Sequence, residues 1–200
     1  MTPERSQKLT RVLDHRQPDL AVVLENVFDP HNISAVMRTC DSVGIQDVYV
    51  LTTRMPRHEK WGRRSSSSAH KWLTVHQFDN LEECLQALRQ RYSRIYTTHL
   101  AANSVGLYQL DLTQSVALVF GNEHSGCSDE IIAAADGNFI IPQVGIIQSL
   151  NISVACAVSV YEAFRQRQAA GHYLQPKLEG PQRQQLEESW GFDPLENEEI

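Results

Sequence analysis

Hydrophobic and polar residues follow one another along this chain in blocks that predict an α/β fold. Short apolar runs with the length of buried strands occupy residues 21–27, 47–51, 72–78, 95–100, 116–120 and 138–141. Between them, apolar residues recur every three or four positions, as in Leu81, Cys84, Leu85 and Leu88, which is typical of helices. Strands that alternate with helices at this spacing predict a mostly parallel sheet flanked by helices.

Capping and helix-breaking residues predict where the helices begin and end. Thr2 and Pro3 indicate the start of an N-terminal helix that ends near residue 17, and Gly44 indicates the end of the helix that follows Asp29. Further helices are predicted over residues 80–91, 128–135, 150–168 and, more weakly, 182–189. We therefore expect an N-terminal helical extension (1–18), one central domain (19–170) and a C-terminal helical, acidic tail (171–200).

Charge is divided unevenly along the chain, although its total is -6. Residues 1–74 hold 11 Lys and Arg against 8 Asp and Glu, whereas residues 75–200 hold 7 against 16. Five basic residues lie between positions 54 and 64, within a predicted long loop over residues 52–69. Because salt screens each charge beyond about 10 Å, such a segment can bind phosphate in an acidic protein.

The sequence gives no indication of a membrane or metal protein. Its apolar stretches fall far short of the roughly 20 residues that a membrane-spanning helix needs, and the N-terminus has no apolar signal core, so we expect a cytoplasmic protein. The histidines show no zinc-binding spacing, and we expect no metal. Buried, inert thiols are the best interpretation of the four widely separated cysteines, Cys40, Cys84, Cys127 and Cys156.

Three junctions between elements are rich in polar residues. In chain order they read NVFDPHNISAVMRTCDSVG, ALVFGNEHSGCSDE and IIPQVGIIQSLNISVACAVSVYEA. In sequence, order and spacing they resemble the three motifs of the SpoU branch of the SPOUT RNA 2'-O-methyltransferases, from about residue 17 to residue 173. The phrases RQPDL, SAHKW and YEAFRQRQAAGHY look like the members of that branch that methylate the D-loop guanosine at tRNA position 18.

This resemblance implies a fold, a cofactor and partners. The implied fold is the SPOUT α/β-knot, in which a deep C-terminal trefoil knot holds S-adenosylmethionine, and the implied assembly is a homodimer that acts on tRNA. Gln143 departs from the methionine common at its position, which a pocket built from main-chain atoms tolerates. By carry-over, and mostly through main-chain atoms, the pocket would be lined by Thr98, Leu100, Gly121, Asn122, Ile141, Gly145 and Leu150; plain core is the alternative for the side chains of Ile141 and Leu150.

The resemblance also points to five candidate catalytic residues: Arg38, Asn32, Ser149, Asn151 and Glu123. A guanidinium is a poor base at neutral pH, so we hypothesise that Arg38 binds the substrate phosphate and stabilises the developing alkoxide. Arg38 as the base, as accounts of the family have it, stays open.

The other four candidates have supporting roles. Asn32 and Asn151 suit the orientation of Arg38 and the ribose, and Ser149 suits the holding of cofactor or substrate. Alternatively, Asn32 and Ser149 only cap the helices that follow them, and Glu123 only fixes its own turn.

Basic residues that suit tRNA fall into two sets. The loop set lies beside Trp61, which adds a stacking ring to the phosphate contacts, whereas a solvated face is the alternative for the helix set. The acidic tail after Tyr173 argues against tRNA contacts there. The helix set is Arg5, Lys8, Arg11 and Arg16, and the loop set is Arg54, Arg57, Lys60, Arg63, Arg64 and Lys71.

Other functions stay open at this point. A hydrolase would need Ser125 or Ser149 as a nucleophile beside His124, but neither serine lies in a Gly-x-Ser-x-Gly elbow. A non-catalytic RNA-binding protein could keep the fold and the basic loop. Another tRNA or rRNA nucleotide could be the target, although rRNA enzymes of the branch usually carry an added N-terminal domain and wobble-nucleotide enzymes are usually shorter.

Overall fold

A computed structural model describes residues 2–57, 69–102, 104–147 and 149–192. Six helices lie in these ranges: α1 (Pro3–Asp14), α2 (Pro30–Ser42), α3 (Leu81–Arg91), α4 (Asp129–Ala134), α5 (Ile152–Ala169) and α6 (Gly180–Ser189). Seven strands form one sheet: β1 (Gln17–Glu25), β2 (Ile45–Leu51), β3 (Thr74–Phe78), β4 (Arg94–Thr98), β5 (Val105–Gly106), β6 (Val116–Phe120) and β7 (Gly137–Ile140).

The strands pair in the order β3-β2-β1-β6-β4-β7-β5, and every pairing in the sheet is parallel. The predicted α/β fold with a parallel sheet is therefore confirmed. Because parallel strands all end at one edge, the loops after β1, β4, β6 and β7 leave the sheet on the same side. In open α/β sheets, ligands bind outside this carboxyl edge.

Helices cover both faces of the sheet, which explains why the strands read as nearly continuous apolar runs. Along β1, Val22 and Leu24 face the core that α2 and α5 cover, whereas Ala21 and Val23 face the core that α3 and α4 cover. Alternate residues of one strand thus supply two cores. The helices α2 and α5, which carry two of the three polar junctions, pack against each other on the same face.

Predicted and observed elements agree closely in the central part of the chain. The predicted strand 116–120 is β6, Asn80 caps α3, and Gly44, at φ 83°, follows the last residues of α2. The two-residue strand β5 was not predicted, because two residues carry no hydrophobic period. The trefoil knot stays a prediction.

The first helix ends earlier than predicted. It stops at Asp14, and Gln17 already begins β1 by donating its N–H to the carbonyl of Gly44 at 2.8 Å. At the other end of the chain, α6 packs back onto α1, where Leu9 and Leu13 form a small core with Leu178 and Trp190. The two terminal segments therefore cover one another.

Arg16 holds this terminal layer to the sheet and does not face solvent. Its side chain is fully buried, pairs with Asp41 at 2.7 Å, and donates to the carbonyls of Ile45 and Trp72 at 3.2 and 3.0 Å. Its guanidinium carbon lies 5.3 Å from the centre of the Trp190 ring. The prediction that Arg16 contacts RNA is therefore wrong, because its side chain is fully buried inside the protein.

Two further findings concern membranes and metals. None of the helices that the structure describes is long and apolar enough to cross a bilayer. Within the described ranges, no three His, Cys, Asp or Glu side chains are grouped as a metal site. The four cysteines are free and buried, and burial raises the pKa of Cys84 and Cys127 to about 12, which confirms inert thiols at those two positions.

Candidate active site

The three polar junctions meet through a chain of side-chain hydrogen bonds. The amide nitrogen of Asn151 donates to Asn32 Oδ1 at 3.2 Å, and Asn32 Nδ2 donates to Glu123 Oε1 at 2.8 Å. We call these three residues the amide–carboxylate chain. It joins the start of α5, the first turn of α2 and the loop after β6, which are far apart in the sequence.

Glu123 anchors this chain to the backbone that leads into α2. Its carboxylate accepts the N–H groups of Phe28 at 3.0 Å and Asp29 at 3.3 Å. Partial burial acts to raise the pKa of Glu123, but the hydrogen bonds from Phe28, Asn32 and Asp29 outweigh it and hold that pKa below its usual value. The alternative that Glu123 only fixes its own turn is wrong, because it binds a different loop.

The capping roles predicted for Asn32 and Ser149 are also wrong. Asp29 caps α2 by accepting the His31 N–H at 2.8 Å, and Asn151 caps α5 by accepting the Ser153 N–H at 2.9 Å. Asn32 therefore lies inside the first turn of α2, where its amide reaches the other two junctions. Ser149 is exposed, two residues before the cap of α5.

Arg38 lies on α2 but outside the amide–carboxylate chain. It follows Asn32 by six residues, which places it about 240° further around the helix. Its side chain is exposed and makes no hydrogen bond or ion pair with another described residue. Asn32 and Asn151 contact each other and show no bond to Arg38 in the described part of the chain, so their role in orienting it stays a prediction. No described residue uses its five N–H donors, which leaves them available to a ligand.

The loop after β6 is built on Gly121 and Asn122. A Cβ on Gly121 would lie 2.1 Å from the nitrogen of Cys127, so only glycine allows this close crossing. The Asn122 side chain donates to the Asn26 carbonyl at 2.7 Å and accepts the N–H groups of His124 and Ser125. Gly121 and Asn122 thus determine the conformation of the loop. That their main-chain atoms bind the cofactor stays a prediction.

The segment between β7 and α5 exposes its apolar side chains to solvent. Val144, Ile146 and Ile147 are 107%, 97% and 71% exposed, and a Cβ on Gly145 would meet nothing within 4 Å. Among described residues, no hydrogen bond uses the main chain from 144 to 147. Free N–H and C=O groups beside apolar side chains are what an adenosine group requires, so this segment fits the cofactor that the sequence predicts.

The other predicted cofactor residues lie at or just after the ends of β4 and β7, or just before α5. Thr98 donates its hydroxyl to the Val119 carbonyl at 3.2 Å, which ties the end of β4 to β6. Ile141 is partly buried against the core, which confirms the plain-core alternative for its side chain. For Leu150 that alternative is wrong, since its side chain is 38% exposed, and Leu100 is 73% exposed.

Two site residues were not predicted from the sequence: Glu25 and Asn26, at the end of β1. Glu25 is buried and accepts both the N–H and the hydroxyl of Ser128, the cap of α4. Asn26 accepts the N–H groups of Thr53 and Arg54 at 2.8 and 3.0 Å, and its amide donates to the Thr53 hydroxyl at 3.0 Å. Polar residues directly after a buried strand are the signal that could have identified them.

Some of the predicted RNA-binding residues form ion pairs within the protein, and others are exposed. Arg54 pairs with Glu130 at 3.3 Å and Arg57 with Asp79 at 2.9 Å, in ion pairs that are about half exposed and therefore weak. Arg5, Lys8, Arg11 and Lys71 are exposed. Lys60, Arg63 and Arg64, with Trp61, lie outside the described residues.

The hydrolase alternative finds no support in the geometry. Within the described residues, neither Ser125 nor Ser149 forms a hydrogen bond with His124, whose loop is instead organised by Asn122. A serine nucleophile needs a base within hydrogen-bonding reach. The arrangement therefore favours the motifs that the sequence resembles.

Comparison with known proteins identifies the family. The model of the SpoU rRNA methylase family matches residues 19–161, which include the whole amide–carboxylate chain. The chain belongs to the SpoU rRNA methylase family. A family member from Thermus thermophilus, the tRNA (guanosine(18)-2'-O)-methyltransferase, is 39% identical over 191 residues, which are 94% of this chain and 96% of that protein.

Other relatives match over most of this chain. The tRNA (guanosine(18)-2'-O)-methyltransferase of Aquifex aeolicus is 36% identical over 96% of this chain and 90% of its own. The crystal structure of the Aquifex aeolicus TrmH/SpoU tRNA modifying enzyme has a TM-score of 0.86 at 37% identity and covers 94% of both chains. An S-adenosylmethionine-bound rRNA methyltransferase from Sinorhizobium meliloti has a TM-score of 0.67 at 26% identity and covers 78% of this chain and 59% of that one.

Proposed function

We propose that this protein transfers a methyl group from S-adenosylmethionine to the 2'-hydroxyl of guanosine 18 in the D-loop of tRNA. The observation that carries the proposal is the amide–carboxylate chain, which joins the three SpoU motifs. Arg38, on the same helix as Asn32, is exposed and has no partner among the described residues. The names of the relatives support the choice of target, because they match this chain over almost its full length.

The segment between β7 and α5 is the part of the chain that would hold the cofactor. When bound, S-adenosylmethionine supplies an electrophilic methyl group. Main-chain N–H and C=O groups from 144 to 147 would bind the adenosine, with Leu100 and Leu150 against its apolar face. The rRNA methyltransferase structure from Sinorhizobium meliloti, which contains S-adenosylmethionine, supports the choice of cofactor.

The substrate hydroxyl must lose its proton, and the candidate residues differ in their ability to accept it. Glu123 already receives three N–H groups, and its lowered pKa makes it a weak base. An arginine guanidinium such as that of Arg38 is a poor proton acceptor. We therefore assign to Arg38 the binding of the substrate phosphate and the stabilisation of the developing alkoxide, with the phosphate assisting deprotonation.

The protein acts as a homodimer in this proposal. A single chain leaves several large apolar side chains uncovered along α5 and in the segment before it, which is unusual for a monomer. A second copy would cover them, and sedimentation equilibrium would show twice the mass of the chain. The residues concerned are Val144, Ile146, Ile147, Val154 and Tyr161.

Location and domain division follow from the same proposal. A tRNA-modifying enzyme acts where tRNA is found, which supports the cytoplasm. The packing of α6 on α1 supports terminal extensions, 1–18 and 171–200, that flank a methyltransferase domain, 19–170.

Methyl transfer with a mapped product tests the proposal. The protein is incubated with labelled S-adenosylmethionine and a tRNA transcript, and the methylated ribose is located by nuclease digestion. The matched control is the same tRNA with 2'-deoxyguanosine at position 18, which lacks only the acceptor oxygen. We expect label at guanosine 18 and none in the control. No transfer to any tRNA would reject the proposal, and transfer to another nucleotide would replace the target.

A further inference from the structure

A cavity of about 340 Å³ lies outside the candidate active site. It is bounded by α1, the end of α2, the last turns of α5 and the segment after them. Basic, polar and aromatic side chains share its wall, in contrast to the apolar surface between β7 and α5. The residues that matter here are Lys8, Arg11, His15, Ser42, Phe164 and Tyr173.

The open side of the cavity is positively charged. Lys8 and Arg11 are exposed, and neither forms an ion pair with another described residue. Asp41 also lies on the wall, but its carboxylate is already paired with the buried guanidinium of Arg16 at 2.7 Å. Two free cations therefore remain for a ligand, and they suit a phosphate.

The inner wall of the cavity is aromatic. The rings of Phe164 and Tyr173 lie 5.1 Å apart, and the His15 ring lies 6.3 Å from Tyr173 with an angle of 24° between the ring planes. Internal hydrogen bonds fix two of these rings, since Tyr173 donates to the Val43 carbonyl at 2.8 Å and His15 Nδ1 lies 2.6 Å from the Arg11 carbonyl oxygen. Rings held in place before binding lose little entropy on stacking.

The cavity lies on the same side of α2 as Arg38. Ser42 is on its wall and follows Arg38 by four residues, so the two side chains share one face of α2, about 6 Å apart along the axis. A phosphate on Arg38 and a nucleotide in the cavity would therefore lie on the same face of α2.

We propose that this cavity binds one unstacked nucleotide of the RNA substrate, with its base against Tyr173 and Phe164 and its phosphate on Lys8 and Arg11. Cations beside aromatic rings are the usual means by which proteins hold single-stranded nucleotides. The inference rests on the proposed function only in assuming that the substrate is RNA. It needs neither the cofactor nor the amide–carboxylate chain.

The cationic part of the site is tested by the salt dependence of tRNA binding. We expect Arg11→Ala and Lys8→Ala each to weaken binding of a tRNA transcript, and the slope of log affinity against log salt to fall by about 0.7 for each phosphate that the variant no longer neutralises. Arg94→Ala is the matched control, because it removes one exposed charge at the start of β4, three strands along the sheet from β2 and outside the cavity. Equal effects of Arg94→Ala and Arg11→Ala on tRNA affinity would overturn the site, because any exposed positive charge would then contribute as much to binding.

The aromatic part is tested by Phe164→Leu, which keeps an apolar side chain but removes the ring. We expect about tenfold weaker tRNA binding with an unchanged salt slope, because stacking involves no phosphate. Phe164 is partly buried, so the melting temperature of the variant is checked first. If it does not fold, Tyr173→Leu is used in the same way. Unchanged tRNA affinity in a folded ring variant would show that no base stacks in the cavity.

These measurements can fail independently of the proposed function. They measure RNA affinity, whereas the proposed function is measured by methyl transfer with the unaltered protein. Normal methyl transfer with unchanged binding in Lys8→Ala, Arg11→Ala and Phe164→Leu would overturn the nucleotide site alone. Absent methyl transfer with the expected loss of binding would overturn the catalytic proposal alone.

Discussion

At the scale of residues, the candidate site contains side chains that bond to one another and one, Arg38, that has no described partner. Asn32 uses its amide for Glu123 and Asn151, so its position is fixed on both sides. Arg38, on the same helix, has no described partner and is exposed. A charged group without an internal partner is available to a charged ligand. The candidate catalytic group is therefore Arg38, and the amide–carboxylate chain positions the loops around it.

Arg38→Lys tests whether the planar, two-pronged guanidinium is needed. Lysine keeps the charge but loses the paired donors, so we expect kcat for tRNA methylation to fall by about a hundredfold, while the KM for S-adenosylmethionine stays unchanged. Steady-state kinetics measure both constants, with Arg94→Lys as the control for an exposed arginine elsewhere. Full activity of Arg38→Lys would show that charge alone is sufficient.

Glu123→Gln tests the ionised state of the carboxylate. The folded-state pKa of Glu123 lies below its usual value of 4.5, so its carboxylate stabilises the fold above about pH 4.5, and this contribution is lost as pH falls through the lowered pKa. We expect Glu123→Gln to melt lower than the unaltered protein at pH 7 and to lose less stability between pH 7 and about pH 3. Melting curves across this range, with the exposed Glu82→Gln as control, measure the difference. Parallel pH profiles would contradict the assignment.

At the scale of elements, the end of β1 connects the loops of the site. Glu25 accepts a hydrogen bond from Ser128 at the start of α4. The Asn26 side chain accepts the N–H groups of the first residues after β2, and the Asn26 carbonyl accepts a hydrogen bond from Asn122 in the loop after β6. The backbone of Asn26 has φ 51°, a value that residues other than glycine rarely adopt. Backbone strain at a carboxyl edge persists only where surrounding bonds fix it, as they do here.

Substitutions at Asn26 separate the backbone strain from the hydrogen bonds. Asn26→Gly accepts the positive φ but loses the bonds to Thr53 and Arg54, whereas Asn26→Ala loses the bonds and keeps the strain. We therefore expect Asn26→Ala to lower the free energy of unfolding by about 1 kcal/mol more than Asn26→Gly. Asn26→Asp, which still accepts the two N–H groups, should lie closest to the unaltered protein. Urea unfolding measures all three, and equal losses for alanine and glycine would contradict the strain.

The sequence was sufficient for elements with a strong period and insufficient for those without one. The apolar run at 116–120 and the spaced leucines of α3 predicted both elements, because burial on a sheet or a helix face requires those patterns. In β5, two residues carry no pattern. Capping was the alternative considered for Asn32 and Ser149, whereas Asp29 and Asn151 are the caps. All four have suitable side chains, and local sequence does not distinguish them.

At the scale of the whole molecule, the roles of several side chains depend on partners that are distant in the sequence and could not be predicted from it. The residues of the amide–carboxylate chain were predicted, but their partners were not, because Asn32 and Glu123 are 91 positions apart. Arg16 shows the same limit. As a charged residue on an apparently basic helix it resembled an RNA contact, and only the folded chain brings Asp41, Trp72 and Trp190 around it.

The two interpretations of Arg16 give opposite results on substitution. If Arg16 holds the terminal layer to the sheet, Arg16→Ala should lower the free energy of unfolding by on the order of 3 kcal/mol, because it removes a buried ion pair and two carbonyl partners. The salt slope of tRNA binding should not change. If Arg16 contacts a phosphate, stability should be nearly unaffected and the slope should fall. Urea unfolding and tRNA titrations at several salt concentrations measure both quantities, with Arg94→Ala setting the effect of one exposed charge. Because the guanidinium is fully buried and donates to Asp41, Ile45 and Trp72, we expect the first result.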